Sequence, residues 1–204
     1  MITVRQIERT WSAKQYERLL RDLLAARPEG GFQLRLESGC AASAAAIAVI
    51  RLDELSQAHV PVCSQLIRTI LANQQADGGW GDPAVTALCL RALLCCNGQG
   101  AAIERGMQAL AALQKTEGIW PREPLRRMPA DALVSAFILF ELGDNVLFRQ
   151  SLRFDQAVAW FTANEGLLDG ESRRLWERAH VRCSSIARGI PVRAHAEPSE
   201  ACHA

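Results

Sequence analysis

The chain has 204 residues, 49% of them hydrophobic, enough for one domain with a sizeable core, which excludes disorder as its main state. Its 23 basic and 22 acidic residues leave a formal charge of +1, so the composition carries no broad attraction to nucleic acid or to an acidic membrane surface. The seven cysteines, odd in number and partly set in apolar runs, read as reduced small hydrophobes.

The first nine residues are polar and charged, with no apolar stretch leading to a small-residue cleavage site, so a cytoplasmic location is expected. Residues 17–26 carry charged side chains at helical spacing and predict an outer helix with one solvated face. Residues 39–52 predict its partner, apolar on nearly every side and therefore buried on nearly every side. The Ala-rich run 40–50 within it is too short to cross a bilayer, and no transmembrane segment is expected.

The alternation repeats. Outer helices are predicted over 63–73, 104–114 and 154–164, and inner helices over 85–96, 132–142 and, more weakly, 179–190. A glycine-containing turn joins each pair, and the aromatic or leucine after it falls at Phe32, Trp80, Trp120 and Leu168. These intervals of 40 to 48 residues signal a helical-repeat array. The fold class predicted is all-α, about four stacked helical hairpins forming an open arc, with one domain over residues 1–190. Trp80 and Trp120 are expected to fill the wedges between repeats. The loop 120–129 is proline-rich and basic, and residues 191–204, without period, are expected to form a flexible tail.

The strongest copy of the turn is Gln74, Asp77, Gly78, Gly79, Trp80 and Gly81. This stretch resembles the "QxxDGGWG" repeat of the terpene-cyclase and protein-prenyltransferase superfamily, the α/α toroids. The run 86–94 looks like that family's inner-helix pattern, and Ser135 to Leu139 echo it one repeat later. The resemblance covers roughly residues 15–190. It implies an apolar cavity for a hydrophobic small molecule of isoprenoid or polyene type. Trp80, Trp120 and Phe137 would then meet the ligand. The family's ring closes with five to seven hairpins, so four imply an open arc or one completed by a second copy.

The resemblance also implies chemistry that can be checked residue by residue. Proton-initiated cyclases carry "DxDD" before an inner helix, and here the matching stretches begin with Asp82 and Asp131 but hold Ala84 and Leu133 at the donor position. That argues against this protonation mechanism, and the metal-binding "DDxxD" is absent as well. Prenyltransferases hold zinc at inner-helix starts, and Asp82, Asp131 and His180 recur at intervals of 49. Asp131, His180 and Cys183 are therefore a possible zinc site, with Asp131 and His180 as candidate catalytic groups, although no cofactor is required. Against this, Asp is a favoured N-cap, which explains Asp82 and Asp131 without any metal.

Arginines offer a second option. Arg122, Arg126 and Arg127 precede the third inner helix, and Arg173, Arg174, Arg178 and Arg182 the fourth. Arg126, Arg127 and Arg178 could hold an anionic head group at one rim, or the cluster is a solvated face balanced by Glu123, Glu171 and Glu177. No nucleophile elbow, P-loop, dinucleotide fingerprint or HExxH is present, and the vicinal Cys95 and Cys96 read as packing. The function expected is a terpene-cyclase-like or prenyltransferase-like protein that binds a hydrophobic substrate and promotes its cyclisation or transfer. The alternative is a non-catalytic scaffold binding a protein partner.

Overall fold

The computed structural model describes residues 38–56, 61–96, 99–121 and 131–185. The described residues are helical with no strand: α1 (Ser38–Glu54), α2 (Pro61–Ala72), α3 (Pro83–Leu94), α4 (Gly100–Leu113), α5 (Asp131–Leu142), α6 (Val146–Ser151), α7 (Phe154–Asn164), a 3-10 turn (Glu165–Leu167) and α8 (Gly170–Ser185). The helices α1, α3, α5 and α8 pack side by side in chain order as an inner layer, while α2, α4 and the pair α6 and α7 form the outer connections. An all-α array of helical hairpins is thus what the chain adopts. The outer partner expected for α1, and the tail 191–204, lie outside the described residues.

Local chemistry explains the helix starts. Asp82 has extended backbone, and its carboxylate accepts from the Val85 N–H at 2.8 Å, with Pro83 in the first helical position where no N–H is needed. Asn145 caps α6 through the Phe148 N–H in the same way. Asp169 caps α8 by accepting from the backbone N–H groups of Glu171 and Ser172, both at 2.9 Å.

The turns preceding α3 and α5 are built as near copies. Gly78 and Gly118 sit at φ of +90° and +88°, a conformation that costs a residue with Cβ about 1 kcal/mol or more. A Cβ on Gly118 would also lie 2.5 Å from the Ala157 amide of α7. Gln74 donates to Gly78 O and to Ala102 O, and Gln114 donates to Gly118 O and to Arg153 O. Each glutamine therefore ties its own turn to the hairpin that follows.

Trp80 and Trp120 are 1% and 0% exposed, and each indole N–H donates to a carbonyl ten residues back, Ile70 O at 2.7 Å and Leu110 O at 2.8 Å. Those carbonyls belong to the last turns of α2 and α4, and Ile70 O also accepts from the Asn73 N–H at 3.2 Å. The backbone N–H groups of Trp80 and Trp120 donate to the hydroxyls of Thr86 and Ser135. Trp120 stacks on Phe148 with centroids 6.2 Å apart, and Phe161 stacks on Trp176 at 4.6 Å.

Two expectations are corrected. The fourth inner helix begins at Gly170 instead of 179, with residues 186–190 of the expected span outside the described residues, and the outer segment before it has an additional short helix, Val146–Ser151. The turn at Gly166 is a 3-10 helix with open space around the glycine, so it is no true copy of the other two.

Candidate functional site

His180 lies ten residues inside α8, about 15 Å from its start at 1.5 Å per residue, so it does not begin an inner helix. It is exposed, with its ring edge-on to Trp176 at 5.1 Å. Cys183 is buried, its Sγ 4.0 Å from Leu139 O, and burial pushes the thiol up to about 11. Asp131 stands at the opposite end of α5, where Lys115 Nζ reaches its carboxylate at 2.6 Å. The structure therefore does not bring Asp131, His180 and Cys183 together. Among the described residues, no three His, Cys, Asp and Glu side chains are grouped so as to hold a metal ion. The third member of the Asp82 and Asp131 series is Asp169, not His180. All three are helix caps or helix starts.

Trp80 and Trp120 are core residues that hold the turns, and they have no accessible wall to offer a ligand. Phe137 is half-buried on the inner layer. Arg126 and Arg127 lie outside the described residues. Arg178 is exposed and its guanidinium covers the Phe140 ring at 4.7 Å, with Arg182 over the same ring at 4.8 Å and bonded to Asp144 at 2.7 Å. Each cation over an aromatic face contributes on the order of 0.5–1 kcal/mol when exposed.

A different surface emerges from these placements. The inner helices run parallel, since the charge of Asp53 near the end of α1 acts on Cys95 just beyond α3, and Arg182 of α8 meets Asp144 just beyond α5. Helices α1, α3 and α5 each carry a half-exposed or exposed stripe at helical spacing. On α1 it comprises Ile47, Arg51 and Glu54, on α3 Leu88 and Arg91, and on α5 Phe137 and Glu141, followed by Asp144. Along every stripe the apolar residue comes first and the charged ones follow toward the C-terminal end. Three neighbouring helices thus share an apolar band that runs into a charged band.

Glu141 is the centre of the charged band. Burial raises its carboxyl pKa, Arg182 and Arg91 oppose that rise, and Glu54 and Asp144 add to it. These influences come from all four inner helices or the residues just beyond them. The sequence carries a signal for this position, because Glu141 is the one charged residue in the run 132–142. A single carboxyl in an otherwise apolar helix marks a position where burial and charge compete. Such a group can hold a proton to higher pH than a solvated glutamate and deliver it to a bound molecule, leaving a carboxylate faced by two guanidinium groups.

No family model, curated protein or solved structure matches this chain. Among the described residues, no helix is long and apolar enough to cross a membrane. The functional reading accordingly rests on the inner-layer surface.

Proposed function

We propose that the protein holds an elongated hydrophobic small molecule, of isoprenoid or polyene type, along the inner-layer stripes and promotes its cyclisation or transfer. The observation that carries this reading is the apolar band of Ile47, Leu88 and Phe137 ending at the half-buried carboxyl of Glu141. A small-molecule site needs a mostly apolar wall with a few placed polar groups, and this arrangement supplies both. The missing "DxDD" donor at Ala84 and Leu133 leaves proton delivery to Glu141, from the other end of the layer. Arg91 and Arg182 stabilise the carboxylate that remains after the proton leaves.

The test is binding of a fluorescent polyene and an isoprenoid alcohol to the purified full chain. Saturable binding, weakened about tenfold by Phe137→Ala through lost aromatic contact, supports the reading. Turnover that disappears in Glu141→Gln while binding persists assigns the proton to Glu141. No uptake of either probe overturns the proposal. The second reading, a scaffold for a protein partner, is favoured by the neighbouring Val146 and Leu147 on α6, which are 55% and 52% exposed. Native mass spectrometry of the protein isolated from its source cell distinguishes the two.

A further inference from the structure

Cys63 sits in the first turn of α2 and Cys96 lies one residue past Cys95, the cap of α3, so an outer-helix start meets an inner-helix end. Their sulfurs are 3.9 Å apart although the residues are separated by 33 positions. We propose that Cys63 and Cys96 form a reversible disulfide that staples α2 to the end of α3. A disulfide holds its sulfurs about 2.05 Å apart, so closing this one takes an approach of roughly 2 Å. Cys96 can supply it by rotation of its side chain, since it lies beyond the last helical residue of α3, its backbone N–H bonded to Leu93 O at 3.1 Å. The vicinal Cys95 is engaged elsewhere, its thiol donating to Arg91 O at 3.2 Å.

Access orders the two steps. Cys63 is only 2% exposed, whereas Cys96 is half-buried, so a small disulfide such as oxidised glutathione reaches Cys96 first. The Cys96 thiolate attacks that disulfide, forms a mixed disulfide and releases one glutathione. The Cys63 thiolate then attacks Cys96 Sγ and releases the second. Two thiol protons go to solvent or to the departing thiolates, and the two electrons reduce one oxidised glutathione to two thiols.

The surroundings also set the rate. Burial raises both thiols, Cys96 to about 12, and Asp53 of α1 adds to the rise at each, while Arg91 of α3 lowers only Cys95. The thiolate fraction therefore grows about tenfold per pH unit between 7 and 10.

The experiment treats the full chain with oxidised glutathione at pH 7 and pH 9, counts thiols and maps linked peptides by mass. The proposal expects two thiols lost and a Cys63–Cys96 cross-link formed about a hundredfold faster at pH 9. It also expects a midpoint of thermal unfolding raised by roughly 5–10 °C and restored by a dithiol reductant. Cys95→Ser must leave the cross-link intact, and Cys96→Ser must leave Cys63 unreacted. A stable mixed disulfide at Cys96, linkage through Cys95, or full retention of thiols at pH 9 overturns it.

Discussion

At the N-terminal ends of the inner helices the buried polar groups are Asp82, Thr86, Ser135 and Ser172, and each is bonded to a turn or a helix start. At the C-terminal ends Arg51, Glu54, Arg91, Glu141 and Arg182 face a half-exposed surface and act on one another through charge. The first arrangement has one geometry and little tolerance. The second is adjustable, since long charged side chains repack and titrate. The difference teaches that the turns which make this repeat recognisable serve architecture, and that the proposed site lies at the opposite end of the same helices.

Mutations at the two ends should therefore separate stability from activity. The largest effect is expected for Gly118→Ala, which combines a strained φ with a clash against the α7 backbone. It should lower stability by about 3 kcal/mol or more in denaturant unfolding. Gln114→Ala follows, removing the bonds to Gly118 O and Arg153 O and leaving the buried Gly118 carbonyl without its glutamine donor, for about 1–3 kcal/mol. Neither change touches the charged band, so residual folded protein should bind the polyene probe with unaltered affinity. A large affinity loss in Gln114→Ala at full folding would break the division between the ends.

Glu141→Gln should act in the opposite sense. Because the folded carboxyl pKa is raised, the glutamate contributes stability that is present below its unfolded value near 4.5 and lost as pH rises through the folded value. The glutamine variant should thus be relatively more stable at pH 8 than at pH 4, as read from unfolding midpoints at both. Asp169→Asn should show the reverse dependence. Ser172, by side-chain and then backbone hydrogen bonds, holds the Asp169 carboxyl below its ordinary 3.8, so its contribution is present above that value and lost as pH falls through the lowered one. At neutral pH this cap change costs a few tenths of a kcal/mol up to about 1. The smallest effect is expected for Asp131→Ala, whose ion pair with Lys115 is solvent-exposed and contributes about 0.2–1 kcal/mol, reduced further by salt.

The outer helix 154–164 was legible to the residue, because its polar positions recur at helical spacing. The start of the inner helix α8 is hidden in the sequence because its first half, Gly170 to Arg178, is mostly charged, unlike the apolar runs of the other inner helices. Within the described layer α8 has only α5 beside it, so one apolar stripe is sufficient. That stripe is Ser172, Trp176, Ala179 and Cys183, spaced four, three and four. Spacing alone places His180 with Asp82 and Asp131, whereas capping chemistry singles out Asp169 followed three residues later by Ser172. The meeting of Cys63 with Cys96 has no signature in the chain at all. It arises only when an antiparallel hairpin closes and lays one helix start beside another helix end.

The two junction glutamines give the array a direction. Gln74 reaches forward to Ala102, and Gln114 reaches forward to Arg153, so each turn is completed by groups that come later in the chain. A hairpin made first cannot finish its own turn until its successor docks. Shortening the protein from its C-terminal side should loosen the turn one repeat upstream of the cut before it disturbs anything further back. In hydrogen exchange this would appear as a wave of lost protection travelling toward the N-terminus, one junction per hairpin removed.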